Sequence, residues 1–246
     1  MNPAAILRAT AHRPWPLPPG PWMMVQIWHD LLFAHWPLPP EVMRQHVPAE
    51  LPLDLFDGQA WIGIVPFHMS NVRPRWVPPL PGLSRFPELN VRTYVTLDHK
   101  PGVYFFSLDA GNLPAVWAAS AFYHLPYFHA KMRVHVAGNN VTYSSRRLSE
   151  NAELQAHYHP TTETQLRDRG TPEHWLTERY CLYTVHRGRL FRGDIHHLPW
   201  PLQDASADFR TNTMAAAASI TLPHRAPLLH FSRQQEVLIW PLTRVT

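Results

Sequence analysis

Four short turn signals, each between runs whose side chains alternate in polarity, set the frame of this 246-residue sequence. They are Asp57-Gly58, the HKPG stretch at 99–102, Gly138-Asn139-Asn140, and Gly188. In a strand successive side chains point to opposite faces, so a run that alternates across a turn residue reads as a β-hairpin and not as a helix. The sequence predicts antiparallel pairs over LPLDLFDGQAWIGIVPFHMSNV, FPELNVRTYVTLDHKPGVYFFSLDA, HAKMRVHVAGNNVTYSSRRL and CLYTVHRGRLFRGDIHH. Strands are also expected at VQIWHDLLFAHW (25–36) and in the closing LLHFSRQQEVLIWPL.

Helices have little room. The 27 prolines interrupt the chain too often for long ones. Short helices are predicted at PPEVMRQH, at LPAVWAASAFYHL (113–125), and at TPEHWLTERY, where Thr171 is a natural N-cap and Pro172 suits the first helical position. The proline-rich segment of about residues 1–21 reads as an extended arm pinned by Trp15 and Trp22, and 201–226 carries no clear signal. With no βαβ rhythm, the expected fold class is mainly β with a few short helices (α+β), an antiparallel β-barrel forming a single domain over 1–246.

Composition narrows the function. The formal charge of +4, from 22 basic and 18 acidic residues, is dispersed, so nucleic acid is not the expected partner. One cysteine excludes an intrachain disulfide, and no apolar run reaches the roughly 20 residues that span a bilayer. The amino terminus lacks the apolar core of a signal peptide, so the expectation is a cytoplasmic protein without a membrane partner. A small-molecule ligand remains as the expected partner, and a homo-oligomer stays open. No dinucleotide loop, phosphate loop or nucleophile elbow is present, and no cofactor is expected. Among the 17 histidines, His157/His159 and His196/His197 are the closest pairs; neither has a carboxylate at a zinc-site spacing, so no metal is expected.

Two strands carry candidate chemistry. In FPELNVRTYV, Glu88, Asn90, Arg92 and Tyr94 share one face, which meets either water or a pocket. In HAKMRVHV, His129, Lys131, Arg133 and His135 share a face backed by Ala130, Met132, Val134 and Val136. If that cationic face points inward, desolvation and the Arg133 charge both push Lys131 toward its neutral, nucleophilic form; the alternative is a solvated strand face.

The blocks FPELNVRTYV, GVYFFSLDA, LPYFHAKM, WLTERYCLY and LLHFS, with HWPLPPEVMRQHVPAELPLDLFDGQAWIGIVPF before them, resemble the YqjF-like family, domain-of-unknown-function family 2071. The resemblance implies the fold of acetoacetate decarboxylase, a cone-shaped antiparallel β-barrel with an internal pocket. In that enzyme a barrel lysine forms a Schiff base, activated by a neighbouring cation. By this likeness Glu88 resembles the enzyme's glutamate and Lys131 falls near its lysine. The match departs at one point, since the enzyme has two consecutive lysines and Lys131 stands between Ala130 and Met132. Taken with the shared strand faces, the expected site has Lys131 and Glu88 as catalytic residues, and Arg92, Tyr94, Arg133 and His129 binding a small carboxylate or carbonyl compound. A Schiff-base lyase and a non-catalytic binding or sensing protein are both consistent with it.

Overall fold

The computed structural model describes residues 2–112 and 123–245. Eleven strands form one continuous sheet: β1 (Met24–Leu38), β2 (Ala60–Pro74), β3 (Phe86–Leu97), β4 (Lys100–Ala110), β5 (Tyr127–Ala137), β6 (Asn140–Arg147), β7 (Glu153–Pro160), β8 (Cys181–His186), β9 (Arg189–His196), β10 (Gln203–Asn212) and β11 (Leu228–Val245). Three short helices accompany them among the described residues: α1 (Pro3–Arg8), α2 (Pro40–Arg44) and α3 (Pro172–Thr177). No described helix is long and apolar enough to cross a membrane.

Two extra pairings make the sheet a ring. β1 pairs with β11 across nearly the whole sequence, and β4 pairs with β8. The path β1-β2-β3-β4-β8-β9-β11 therefore closes on itself, while β5, β6, β7 and β10 leave β4, fold over the outside and rejoin at β11. These four strands bury one face only: Val141, Tyr143, Leu154, Ala156 and Tyr158 pack on Ile62, Ile64, Leu89 and Val91 of the ring in the main apolar core. Strand β3 is thus covered twice, by this core on its odd-numbered side and by the ring interior on the other.

Local turn chemistry places most of the hairpins. Gly138 and the Arg187-Gly188 pair have positive φ between β5 and β6 and between β8 and β9. Thr171 caps α3 by accepting the His174 N–H, as its position before Pro172 predicts. Three expectations are corrected. The turn between β3 and β4 is Asp98-His99, with φ of 51° and 58°, so Pro101 and Gly102 already lie in the strand. The Asp57-Gly58 turn forms, but the chain before it makes only the isolated bridges Leu53–Val95 and Phe56–Gln59 and not a strand. The sheet is not wholly antiparallel, because β4 runs parallel to both β5 and β8. The helix expected over 113–125 falls largely on residues outside those described.

The amino-terminal arm is more ordered than an extended strap. Ile6 of α1 and Trp22 are buried against Val25, Leu238 and Trp240, and Arg13 donates to the carbonyl of Ile195 at 2.7 Å. Strand β10, unread in the sequence, supplies the link between β7 and β11.

Gly102 marks the closure between β4 and β8. A Cβ there would lie 2.7 Å from both the carbonyl oxygen and Sγ of Cys181 and 2.8 Å from the Tyr183 ring. Backbone cannot yield as a flexible side chain does, so Gly102→Ala is expected to destabilise the fold by about 1–3 kcal/mol in urea denaturation. An unchanged midpoint would mean that the β4–β8 closure is looser than it stands here.

Candidate functional site

The ring encloses a cavity of about 500 Å³. Glu88, Asn90 and Arg92 of β3 line it, which is why this strand carries polar residues at alternate positions: they face an interior space and not solvent. All three are buried, with Glu88 at 5% and Arg92 at 9% exposure. The β3–β4 register shifts between Val91 and Arg92, where β4 carries one extra residue, Phe106. Most of the remaining wall is apolar, drawn from Leu31 and Phe33 of β1, Phe67 and Met69 of β2, and Trp200.

Glu88 is held toward its neutral form. Burial raises its carboxyl to about 8, nearby Asp109 adds to the rise, and a hydrogen bond from Tyr127 pulls it back in part. Tyr127 donates its hydroxyl to Oε2 at 2.9 Å, and burial keeps that phenol protonated well above its ordinary range. Tyr143 donates to the Glu88 carbonyl at 2.7 Å and so fixes the strand behind the side chain.

Arg92 is a buried cation on the same strand. No carboxylate forms an ion pair with it among the described residues, and its Nε has no hydrogen-bond partner. Its Nη2 makes two long bonds of 3.3 Å, to the Tyr94 hydroxyl and to the Leu176 carbonyl. The Phe33 ring lies 5.4 Å from the guanidinium carbon. Tyr94 holds this arrangement from behind: it donates to Leu176 O at 2.9 Å and meets Nε2 of His35 at 2.7 Å. With the Tyr94 proton spent on a carbonyl, the proton between Tyr94 and His35 belongs to Nε2. Burial first, and then the Arg92 charge, hold the His35 ring neutral.

A second guanidinium, Arg179, reaches the same cavity already paired. It bonds Asp54 and donates Nε to the Trp175 carbonyl at 2.7 Å, and it lies 4.2 Å from the Trp175 ring centre. Asn90 Oδ1 and Arg179 Nη2 are buried without partners. The cavity thus offers a carboxyl held toward its neutral form, two cations without a carboxylate partner among the described residues, the buried Arg92 and the half-buried Arg73, and unused donors and acceptors on an otherwise oily wall, a composition typical of small-molecule pockets.

The expected residues divide. Glu88 and Arg92 line the cavity, whereas Tyr94 is fully buried behind it as a brace for Arg92. Lys131 and Arg133 are exposed on β5, and His129 is half-buried on the same face. Of the two alternatives for this face, pointing inward or solvated, the structure takes the second: Ala130, Met132 and Val134 take the covered side against the core, and the cations take the solvent side, where no desolvation cost arises. Lys131 therefore does not share a cavity with Glu88. Sequence reasoning missed Tyr127 and Arg179, although both lie in the quoted blocks LPYFHAKM and WLTERYCLY; a lone arginine four residues after Trp175 was the available signal.

The histidine pairs have local partners. His157 meets Thr142, His196 the Ile6 carbonyl, and His197 the carbonyls of Leu198 and Arg179. Among the described residues no group of three or more His, Cys, Asp or Glu converges on a point where an ion could sit.

Comparison with known proteins agrees with the fold. The family model DUF2071, described as an uncharacterized conserved protein, matches residues 25–236. The uncharacterized protein YqjF of Bacillus subtilis (strain 168) is 48% identical over 229 residues, covering 93% of this chain and 95% of that one. Among solved structures, the enduracididine biosynthesis enzyme MppR complexed with pyruvate aligns with a TM-score of 0.64 at 9% identity, over 97% of this chain and 95% of its own. An acetoacetate decarboxylase-like enzyme from Sphingomonas wittichii RW1 aligns at 0.62 and 10% identity, over 95% and 97%. The acetoacetate decarboxylase of Legionella pneumophila aligns at 0.59 and 11%, over 97% and 93%. At these identities the structural likeness establishes the fold and leaves the chemistry to the site itself.

Proposed function

The chain belongs to the DUF2071 family of uncharacterized conserved proteins, and from that premise we propose that its cavity binds a small organic carboxylate, with Arg92 as the anchor. One observation carries the reading. A guanidinium buried without a counter-ion is costly, and a ligand carboxylate would supply the missing charge. Arg92 has this character, with an unused Nε beside a cavity of ligand size. The pyruvate in the MppR complex is a carboxylate of the same chemical class.

Imine chemistry has no support in this cavity. The chain has only Lys100 and Lys131, and neither lines the wall. A second reading rests on Glu88: a carboxyl held near 8 is suited to donate a proton to a bound carbonyl or leaving oxygen at neutral pH. Binding is the primary reading because it needs only groups already in place.

Thermal shift and calorimetry with a panel of monocarboxylates test it. Ligand at 100 times its Kd is expected to add about 2.7 kcal/mol, a rise of roughly 5–10 °C in Tm. Arg92→Met, which keeps the volume and removes an unpaired charge, is expected to stay folded and lose this rise. Equal stabilisation of wild type and Arg92→Met by the same acid would overturn the assignment.

A further inference from the structure

We infer that the ligand is a monocarboxylate with a long apolar body, its head on Arg92 and its tail directed toward the loop between β2 and β3; this rests on the carboxylate reading above. Volume is the first argument. About 500 Å³ accommodates roughly 16 non-hydrogen atoms at the ~30 Å³ that a water molecule occupies in the liquid. A three-carbon keto acid, with about 6 such atoms, would fill roughly a third and leave apolar wall unpaired.

The order of residues along β3 is the second. Phe86, Glu88, Asn90 and Arg92 succeed one another on the cavity wall, and the six steps from Phe86 to Arg92 span about 20 Å of strand. The buried charge is Arg92; the half-buried Arg73, which lines the other end, spends its guanidinium on Asn71 Oδ1 and the Arg75 and Val77 carbonyls. At the other end β3 joins residues 75–85, where Val77, Leu80 and Leu83 line the cavity while 36%, 48% and 42% exposed. An apolar lip left open to water at the end opposite Arg92 fits a ligand whose charge is buried and whose tail reaches the mouth. Between them Met24, Met69 and Val72 present an adaptable apolar wall, the unbranched thioethers tolerating chains of different shape. Burial holds Glu88, partway along, toward its neutral form, which suits such a body.

The mouth loop is braced rather than loose. Arg73 donates Nε to Asn71 Oδ1 at 3.0 Å and Nη1 to the Val77 carbonyl at 3.3 Å, and the Ser84 hydroxyl accepts the Leu80 N–H at 2.7 Å. Its leucines therefore stay at the opening. Exposed apolar residues held in place by polar bonds mark a surface built for an apolar contact.

Calorimetry with butyrate, hexanoate, octanoate, decanoate and dodecanoate, each below its micelle concentration, tests the inference, with pyruvate and decanol as controls. Affinity is expected to rise about fourfold per added methylene, the equivalent of roughly 0.8 kcal/mol per buried CH₂, up to a plateau near ten to fourteen carbons. Decanol is expected to bind at least tenfold more weakly than decanoate, and Arg92→Met should bring decanoate down to the level of decanol. Val72→Trp, which narrows the tail region, should move the plateau to shorter acids. If pyruvate and butyrate bind as tightly as decanoate and Arg92→Met abolishes all three, the long-body inference falls while the carboxylate reading stands. If chain length matters but decanol equals decanoate, or if no acid binds, both fall.

Discussion

Glu88→Gln is expected to gain stability progressively over the wild type between pH 5 and pH 9, while the opposing contribution of buried neutral histidines such as His35 stays in both proteins. The Glu88 carboxyl lies near 8 in the folded protein, against 4.5 for the free group, and burial is the main cause. The folded state therefore holds a proton that the unfolded chain has released over this window. Stability attributable to this group is fully present below about pH 4.5 and is lost as pH rises through 8. The difference of about 3.5 units corresponds to an order of 5 kcal/mol. Glutamine is neutral at every pH and its carbonyl oxygen still accepts the Tyr127 hydroxyl. The variant should match the wild type near pH 5 and exceed it by several kcal/mol at pH 9, read from urea midpoints at each pH. Parallel profiles for the two proteins would show that Glu88 is ionised in the fold, which would also remove the proton-donor reading.

Asp109→Ala is expected to cost about 3–5 kcal/mol, on the order of 10 °C in Tm. Asp109 of β4 is fully buried and accepts from Arg147 of β6, Nη2 at 2.6 Å and Nε at 3.1 Å, with the Arg147 side chain only 2% exposed. Burial pushes the Asp109 carboxyl up while the Arg147 bonds pull it down, so the carboxylate depends on its partner. Its removal strands a guanidinium that keeps the Phe128 ring at 3.8 Å and the largely solvated Glu150. The pair ties the outer layer of strands to the ring, so its loss acts on the join between them. Replacing both, Asp109→Leu with Arg147→Met, should recover most of the loss, since no charge is then left buried. A single-variant loss below about 1 kcal/mol would show that the pair is hydrated and contributes little.

The same residues show what could be read locally and what could not. The turns at Gly138 and Gly188, the Thr171 cap and the alternation of β3 and β5 are properties of a few neighbouring residues, and backbone sterics settle them wherever the segment lies. The turn at Asp98-His99 escaped because its two residues adopt positive φ without glycine, while the adjacent Pro101-Gly102 resembles a turn and serves instead a close approach to β8. Strand β10, DASADF at its centre, has too little apolar alternation to be seen alone; its partners β7 and β11 define it.

Alternation determined that β3 and β5 each have a polar and an apolar face, and likeness of sequence blocks placed Glu88 at the centre of interest. Which face turns inward was decided by tertiary structure alone. On β5 the apolar face meets the core and Lys131 meets water; on β3 both faces are covered, so Glu88 and Arg92 are enclosed. The reason is physical: a strand's two faces are equivalent to its own backbone, and only the layers that pack on each side distinguish them. Ring closure by β1 and β11, some two hundred residues apart, creates the enclosed space, and with it the desolvation that raises the Glu88 carboxyl and the burial of Arg92, which has no ion pair among the described residues.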